Sequence, residues 1–409
     1  MPDKSVPEQQ RQNGPDDVEL SILMPCLNEA ETLQTCITKA QAFLHTSHVK
    51  GEVVVGDNGS TDESQDIARK CGARVVDVPL RGYGAALYFA AQAARGRFII
   101  MGDSDNSYDF ANLTPFVAKL REGFALVMGN RFLGGIEPGA MPWKNRYIGN
   151  PILSGIGRLL FRCPAKDFHC GIRGFSAAAF KLMDLRTTGM EFASEMVIKA
   201  TMMGLKIAEV PTTLSPDGRS RPPHLRPWRD GWRHLRFMLL YSPRWLFLFP
   251  GLFLMLLGMG LMVALSGGRV LLGTVSFDVH TLIYAAGAIL IGYQSVMFAV
   301  FSKIFAINEG LLPADTRLDK VFTVFRLETG IICGTLLLGA GAALTAAAVR
   351  QWQLHAFGEI DPEMVLRQVV PAVLALALGS QTILSSFFIS VLGLKIRRLE
   401  PRRDPGDED

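Results

Sequence analysis

The chain has 409 residues, of which 49% are hydrophobic, and its mean hydropathy is +0.22. This length allows two or three domains, and so apolar a composition predicts membrane-spanning segments. The net charge of +4 is too small to indicate a nucleic-acid-binding protein. The 6 cysteines show no CxxC pair or other metal-ligand spacing, so we expect reduced thiols in a cytoplasmic setting.

The first segment, 1–18, is polar and contains Pro, Gln and Asp. It lacks the apolar core of a signal peptide. We expect it to be a disordered tail.

From residue 19 onward, short apolar runs alternate with segments of helical character. The runs predicted as strands are 19–24, 52–56, 74–78, 98–101, 125–129 and 206–211. Strands alternating with helices at short period predict βαβ units and therefore an α/β domain with a mostly parallel sheet. A polar cluster follows each of the first four runs. Because the carboxyl ends of parallel strands share one edge of the sheet, we expect these clusters to converge.

The cluster Asp103-Ser104-Asp105 follows an apolar run that is typical of a strand buried on both faces, and Gly102 ends that strand. Two carboxylates at this place can share one hard divalent cation, which in turn can neutralise a diphosphate. The alternative is a turn that simply favours Asp and Ser, and the motif alone does not decide between them.

The other clusters supply polar groups and flexible backbone at the same edge. They contain Pro25, Asn28 and Glu29 after the first run, Asp57 after the second, and Gly82 and Gly84 after the third. Glycine permits a phosphate or a nucleobase to approach the backbone closely. The sequence contains neither a GxxxxGK[ST] P-loop nor a GxGxxG fingerprint, which argues against binding of ATP or a dinucleotide.

In order and approximate spacing, four motifs resemble those of family 2 glycosyltransferases with the GT-A (Rossmann-like) fold. They are Pro25-Cys26-Leu27-Asn28-Glu29, Asp57-Asn58-Gly59-Ser60-Thr61-Asp62, Gly82-Tyr83-Gly84 and Asp103-Ser104-Asp105. The resemblance covers 19–216. It implies a nucleotide-sugar site formed by Pro25, Asn28, Glu29, Asp57, Gly82, Gly84 and Asp103. It also implies that Asp103 and Asp105 hold Mg²⁺ or Mn²⁺ and that Asp105 is catalytic. The family often has a further ligand two residues on, where this chain has Ser107.

The segment 142–162 carries Trp, Lys and Arg on one side and Ile, Leu and Phe on the other. This pattern is typical of an interfacial helix on a membrane surface, and an ordinary amphipathic helix on the domain is the alternative. Arg131 and Arg146 are candidates for holding a lipid phosphate, because a guanidinium binds two phosphate oxygens at once.

The pattern Asp167-x-x-Cys170-Gly171-x-Arg173 resembles the acceptor-side segment of polyprenyl-phosphate glycosyltransferases. The resemblance implies that Asp167 is a catalytic carboxylate, and we add Arg173 to the lipid-phosphate set. We interpret His169 as a structural residue, because a zinc site around it lacks a fourth ligand.

The segment 217–244 is rich in Arg and Trp and precedes a long apolar stretch. This composition favours a membrane interface at headgroup level over nucleic-acid binding. We place Arg219 in the lipid-phosphate set, within reach also of the diphosphate. For Glu195, at the start of a predicted helix, support of the active site and a charge on the first helical turn stay equally open.

Four apolar stretches, 245–265, 282–301, 330–349 and 369–394, are long enough to span a bilayer as helices. They predict a transmembrane domain over 245–398, followed by a polar tail over 399–409. Lys and Arg are concentrated on the side that faces the N-terminal domain, which predicts that this domain and both termini are cytoplasmic, at the inner or plasma membrane.

These features together resemble polyprenyl- or dolichyl-phosphate hexose synthases. The resemblance implies an inverting transfer of a hexose from a UDP- or GDP-sugar to a polyprenyl (undecaprenyl or dolichyl) phosphate, in the biosynthesis of cell envelope glycans. The resemblance also implies three partners, which are the nucleotide-sugar donor, the lipid-phosphate acceptor and the bilayer, and it implies no nucleic acid. Relatives of this kind often form homo-oligomers, and the resemblance extends that expectation to this chain.

Two other functions stay open. A processive polysaccharide synthase carries Gln-x-x-Arg-Trp, and the nearest segment here, Tyr241-Ser242-Pro243-Arg244-Trp245, has Tyr in place of Gln. The other is a non-catalytic membrane scaffold with a degenerate nucleotide-sugar domain, against which the intact carboxylates argue. The sequence predicts neither the sugar nor the nucleotide base.

Overall fold

The computed structural model describes residues 18–220, 227–313 and 327–394. The chain divides into two compact units, Met1–Ser242 and Pro243–Asp409. The predicted N-terminal tail up to residue 17, residues 221–226 of the basic segment and the predicted tail 399–409 lie outside the described residues.

The centre of the first unit is a seven-stranded sheet. Its strands are β1 (Leu20–Cys26), β2 (Gly51–Asp57), β3 (Arg74–Asp77), β4 (Phe98–Met101), β5 (Leu126–Asn130), β6 (Arg173–Ser176) and β7 (Ile207–Pro211). In the spatial order β3-β2-β1-β4-β6-β5-β7, neighbouring strands are parallel except where β6 is one of the pair. The predicted mostly parallel sheet is confirmed, whereas β6 is absent from the sequence-based prediction.

Helices connect and cover these strands. They are α1 (Leu33–Thr46), α2 (Ser64–Lys70), α3 (Tyr83–Ala93), α4 (Thr114–Arg121), α5 (Arg131–Gly134), α6 (Asn150–Phe161), α7 (Ala177–Met183), α8 (Glu191–Met202) and α9 (Pro227–Leu240). A π-helical turn over Asn145–Gly149 precedes α6. The first helix begins at Leu33, after a turn in which the Glu29 carbonyl accepts from the amides of Thr32 and Leu33.

The core of this unit lies around the central strands β1 and β4. All of β4 and nearly all of β1 are buried, as expected for parallel strands covered on both faces. In the register, Cys26 pairs with Asp57 and Leu23 pairs with Met101. The carboxyl ends of β1, β2 and β4 therefore finish side by side.

The reversed strand β6 lies between β4 and β5 and pairs Arg173 with both Met101 and Met128. Because Met101 is the last residue of β4, Arg173 lies beside the start of the Asp103-Ser104-Asp105 turn. A buried cation is thus built into the sheet next to the predicted metal-binding carboxylates.

The second unit contains α10 (Phe249–Ser266), α11 (Val279–Asn308), α12 (Leu327–Leu354) and α13 (Pro362–Leu392). By length and composition, four helices in the described residues are able to cross a membrane, over Arg244–Ser266, Val279–Asn308, Leu327–Leu354 and Pro362–Leu392. The four predicted spans are therefore confirmed as apolar helices. A short hairpin of β8 (Val270–Leu272) and β9 (Val275–Phe277), not predicted from the sequence, lies between α10 and α11.

Close helix packing in this unit depends on glycine. A Cβ added to Gly251 of α10 would lie 2.8 Å from the Gly292 carbonyl of α11. In the other pair, a Cβ at Gly334 of α12 would lie 2.8 Å from the Gly379 carbonyl of α13. Small residues that let helix backbones approach each other are the usual means of packing in a bilayer.

Candidate active site

The loops after β1 and β2 are tied together at the carboxyl edge of the sheet. Asn28 adopts a left-handed backbone conformation, with φ of 58°. Its Oδ1 accepts from the Thr61 amide at 2.8 Å, and its own amide donates to Ser60 Oγ at 2.9 Å. Asn28 therefore joins the loop after β1 to the loop after β2, at the rim of the predicted nucleoside site. It lies shortly after Pro25 and Cys26, the last two residues of β1.

Asp57 ends β2 and keeps one oxygen available. Its Oδ2 accepts from the amides of Gly59 and Ser60 at 3.1 Å and from Gln65 Nε2 at 2.7 Å. Its Oδ1 is buried and has no hydrogen-bond partner among the described residues. An orphaned buried oxygen of this kind is suited to accept from a ligand that carries N–H or O–H donors.

Gly82 and Gly84 leave room for the protein's own chain. A Cβ on Gly82, whose φ is 142°, would overlap the Thr188 carbonyl oxygen. A Cβ on Gly84 would lie 2.7 Å from the carbonyl oxygens of Thr187 and Gly189. Both glycines are thus required by the close approach of the segment 187–189, and the predicted approach of a phosphate or nucleobase stays a prediction.

Asp103 is held on both sides. Its Oδ1 accepts from the Tyr83 hydroxyl at 2.9 Å, and a Cβ on Gly171 would lie 2.6 Å from its Oδ2. Burial, together with the charge of Asp105, raises the pKa of Asp103 to about 6. Burial and the neighbouring Asp103 charge raise the pKa of the Tyr83 phenol well above its usual value, so that its hydroxyl stays a donor.

Asp105 forms an ion pair with Arg219. Its Oδ1 accepts from the amide of Ser107 at 3.0 Å and from Ser107 Oγ at 2.5 Å. Its Oδ2 forms an ion pair with Arg219 Nη2 at 2.5 Å. The same guanidinium lies 3.3 Å from Glu29 Oε2, so that one positive charge bridges two carboxylates at the predicted metal position.

The side-chain oxygens at this place are suitable ligands for a hard divalent ion. Asp103 and Asp105 supply carboxylate oxygens, and the Arg219 guanidinium paired with Asp105 Oδ2 occupies the place that a metal cation would take. Within residues 18–220, 227–313 and 327–394, no group of three or more His, Cys, Asp or Glu side chains forms a metal cage. Mg²⁺ is commonly bound through one or two carboxylates, with water and substrate phosphates completing its shell, so these two residues suit an ion shared with a diphosphate.

Asp167 is fully buried and forms a bidentate pair with Arg131. Its Oδ2 accepts from Arg131 Nε at 2.7 Å and its Oδ1 from Arg131 Nη2 at 2.7 Å. Glu209 Oε1 accepts from the Asp167 amide at 2.9 Å and so fixes the backbone of this pair. Arg131, 7% exposed, and Asp167 are thus bound to each other, while their predicted roles as lipid-phosphate ligand and catalytic carboxylate stay predictions.

Arg173, which is predicted from the sequence to belong to the lipid-phosphate set, lies inside the first unit. It is fully buried in β6, and its Nη1 and Nη2 donate at 2.5 Å to the carbonyl oxygens of Ala193 and Cys170. Burial lowers the pKa of its guanidinium. The reversed strand β6 places this side chain in the interior of the unit.

Arg146, another predicted ligand of the lipid phosphate, is not enclosed by the protein. It lies half-buried in the π-helical turn, where its Nη1 is 3.4 Å from the Ile136 carbonyl and its guanidinium is 5.5 Å from the Tyr147 ring centre. Large apolar side chains on this segment are exposed: Trp143, Tyr147, Ile148, Ile152 and Leu159. An uncovered apolar surface beside basic groups is the pattern expected of the predicted interfacial helix.

His169 lies beside this region and has a structural environment. Neither of its buried ring nitrogens has a hydrogen-bond partner among the described residues, and its ring centre is 4.8 Å from that of His234. Burial lowers the pKa of His169 well below its usual value, so the ring is neutral.

The sequence-based reasoning did not identify two residues of this site. Tyr83 was treated only as part of a glycine turn, and Glu209 only as part of the last strand. An available signal for Glu209 is its position as a lone carboxylate inside the otherwise apolar run of β7. For Tyr83 there is none, because its contact with Asp103 depends on how α3 packs on the sheet.

Comparisons with known proteins match two family models. They are Glycosyl transferase family 2, over residues 21–183, and Glycosyltransferase family 2 C-terminal transmembrane region, over residues 300–393.

Three relatives come from Haloferax volcanii. The low-salt glycan biosynthesis hexosyltransferase Agl6 is 37% identical over 91% of this chain and 89% of its own length. The glycosyltransferase AglJ is 31% identical over 69% of this chain and 92% of its own. A dolichyl-phosphate hexose transferase is 30% identical over 47% of this chain and 81% of its own.

A solved structure of glucosyl-3-phosphoglycerate synthase from Mycobacterium tuberculosis, with Mn²⁺ and UDP, is 24% identical to this chain. It covers 54% of this chain and 77% of its own, with a TM-score of 0.42.

Proposed function

The chain belongs to glycosyltransferase family 2 and is a membrane protein, and from this membership we propose that it transfers a hexose from a nucleoside diphosphate sugar to a polyprenyl phosphate, with inversion. One observation carries the proposal. Asp57, Asp103 and Asp105 lie at the carboxyl edge of the sheet, and the described residues include four membrane-capable helices. The name of one relative, a dolichyl-phosphate hexose transferase, supports a lipid phosphate as acceptor.

The donor is held by the loops after β1, β2 and β4. Asp57 Oδ1 is the buried oxygen suited to accept from the nucleoside, and Asn28 and Glu29 lie on the neighbouring loop. Asp103 and Asp105 would hold Mg²⁺ or Mn²⁺, which stabilises the negative charge that develops on the leaving diphosphate. Arg219 is paired with Asp105 before the donor binds. When the donor binds, its guanidinium would move from this carboxylate to the diphosphate.

The acceptor reacts without a strong base. A lipid phosphate is ionised at neutral pH, so catalysis requires that the phosphate oxygen be positioned in line with the sugar–diphosphate bond. Arg146 supplies a guanidinium next to the exposed apolar surface from which a lipid would arrive. The buried pair of Asp167 and Arg131 fixes the start of α5 and thereby the wall of the site.

The orientation of the chain follows from its charges. We call the first unit, which contains the candidate active site, the catalytic unit. Lys and Arg are concentrated in the loops on its side, so this unit and both termini are proposed to lie in the cytoplasm. That is the compartment in which nucleotide sugars are found and in which free thiols stay reduced.

The experiment is a donor screen on membranes that contain the full chain. Labelled UDP- and GDP-sugars are supplied with Mn²⁺, and label extracted into organic solvent is measured. We expect label from one donor, lost in D103N and D105N and retained in D66N, a control at an exposed carboxylate of α2. Label in a long polymer would favour a processive synthase, and no label from any donor would favour a non-catalytic scaffold.

A further inference from the structure

We propose that the buried carboxylate of Glu195 is a positioning residue for the donor site, which acts through the segment 184–189 and Tyr83 on Asp103. This inference rests on the proposed function, because it assigns a metal-binding role to Asp103. The route consists of three contacts, each within the catalytic unit.

The first contact fixes the segment 184–189 to α8. Glu195 is fully buried, and its Oε2 accepts from the Thr187 amide at 2.9 Å and from Thr187 Oγ1 at 2.7 Å. The Arg186 amide also donates to this carboxylate, at 3.0 Å and 3.1 Å from its two oxygens. Lys199 Nζ lies 2.9 Å from Glu195 Oε1 and donates to the Asp184 carbonyl at 2.7 Å.

The second contact joins that segment to the glycine turn. The amide of Ala85 donates to the Thr188 carbonyl at 3.0 Å. A Cβ at Gly84 would lie 2.7 Å from the Thr187 carbonyl oxygen. Because backbone lies against backbone with no side chain between, a displacement of the segment 184–189 must displace the turn.

The third contact reaches the metal-binding carboxylate. Tyr83 lies between the two glycines, is the first residue of α3, and donates its hydroxyl to Asp103 Oδ1 at 2.9 Å. Hydrogen bonds of this kind to a metal-binding carboxylate orient it, and the loss of one typically weakens metal binding by about 10–100-fold.

Stability alone does not account for the Glu195–Lys199 pair. A buried ion pair is often no more stabilising than well-packed apolar residues of the same volume, because both ions lose their hydration. Glu195 and Lys199 are 0% and 1% exposed, and both bind the segment 184–189. Their burial therefore indicates that the site requires this segment to follow one fixed path.

The test measures Mn²⁺ binding to the full chain by calorimetry in the absence of donor, and then donor KM and kcat. In Y83F we expect Mn²⁺ binding to weaken by about tenfold, and in E195Q by a similar factor. In both variants donor KM rises more than kcat falls, because the carboxylate is misplaced before chemistry begins. T187V, which removes only one donor to Glu195, should show a smaller shift in the same direction.

A matched control is E52Q. Glu52 is a partly buried carboxylate that binds Arg74, Ser21 and the Arg95 amide, but it lies near the opposite end of β2 from Asp57. We expect E52Q to lower thermal stability and to leave Mn²⁺ binding and donor KM unchanged.

The outcomes separate the inference from the proposed function. Wild-type affinity for Mn²⁺ in either E195Q or Y83F would overturn the inference, because each removes a necessary contact of the route, and would leave the metal role of Asp103 intact. If E195Q does not fold, Y83F and T187V decide the question in the same way. If the wild-type chain binds no Mn²⁺, the metal part of the proposed function fails, and the inference fails with it.

Discussion

Asp103 shows how tightly a single side chain is enclosed at this site. Tyr83 donates to one of its oxygens, and Gly171 lies against the other. Any residue larger than glycine at position 171 would therefore meet the carboxylate, since its Cβ would lie 2.6 Å from Oδ2 and 3.1 Å from the Tyr108 hydroxyl.

We accordingly expect G171A to weaken Mn²⁺ binding by about 10–100-fold, because the added methyl group must push the carboxylate out of place. Calorimetry on the purified chain measures this. The control is G231A, at a glycine of α9 whose added Cβ has nothing within 4 Å and for which we expect no change. Unchanged Mn²⁺ affinity in G171A would show that Asp103 does not need its observed orientation.

The raised pKa of Asp103 has a consequence for pH dependence. Because burial and Asp105 raise it to about 6, the carboxyl binds a proton at a pH where an ordinary aspartate is ionised. A proton and a metal ion compete for the same oxygens, so Mn²⁺ binding to the donor-free chain should weaken as the pH falls below about 6.

We expect a loss of about tenfold per pH unit below that value and a plateau above it. Titration calorimetry between about pH 5 and about pH 7.5 covers the range around the pKa. An Mn²⁺ affinity that stays constant through this whole range would contradict the assignment of Asp103 as a ligand.

At the scale of residues, carboxylates were easier to predict than arginines. Asp57 is the last residue of a strand, Asp103 and Asp105 come shortly after one, and strand ends determine where all three lie. Arg131 and Arg173 carry the same charge as Arg146 in the sequence, but the structure buries them. Arg131 is buried by its pair with Asp167, which is distant in sequence, and Arg173 is buried by its place in the reversed strand β6. A local sequence pattern reveals neither.

At the scale of elements, the strands with long apolar runs were predictable, and β6 was not. It spans only Arg173–Ser176, contains Arg and Gly, and runs opposite to its neighbours. The hairpin of β8 and β9 is equally short, with three residues in each strand. In both cases pairing with a neighbouring strand outweighs weak local preference.

The segment around α6 offers a test of the interfacial helix. Ile148 and Ile152 lie four residues apart and are 47% and 55% exposed. We expect I148E/I152E to raise the KM for the lipid acceptor by about tenfold, because charged groups disfavour contact with the hydrocarbon boundary. The KM for the donor should stay close to the wild-type value.

The control for that variant is L182E, at an exposed leucine of α7. It introduces one glutamate, against two in I148E/I152E, on the same unit without touching the segment 142–162. An equal rise in acceptor KM for both variants would show that the effect comes from net charge, which would contradict the role proposed for α6.

At the scale of the whole molecule, the family and the membrane character were predictable because motif order and hydropathy extend over long stretches. The catalytic unit contributes a sheet edge with three aspartates, and the second unit contributes helices packed through glycine. Together they suit a reaction between a water-soluble donor and a lipid acceptor.

The central claim is that the acceptor is a lipid phosphate. The most direct measurement uses the purified full chain in vesicles with or without polyprenyl phosphate, supplied with Mn²⁺ and the labelled donor that the membrane screen identifies. We expect organic-extractable label that requires polyprenyl phosphate, carries one sugar per lipid and is absent with D105N. Label that forms equally well without polyprenyl phosphate, or that accumulates as a growing polymer, would contradict the account.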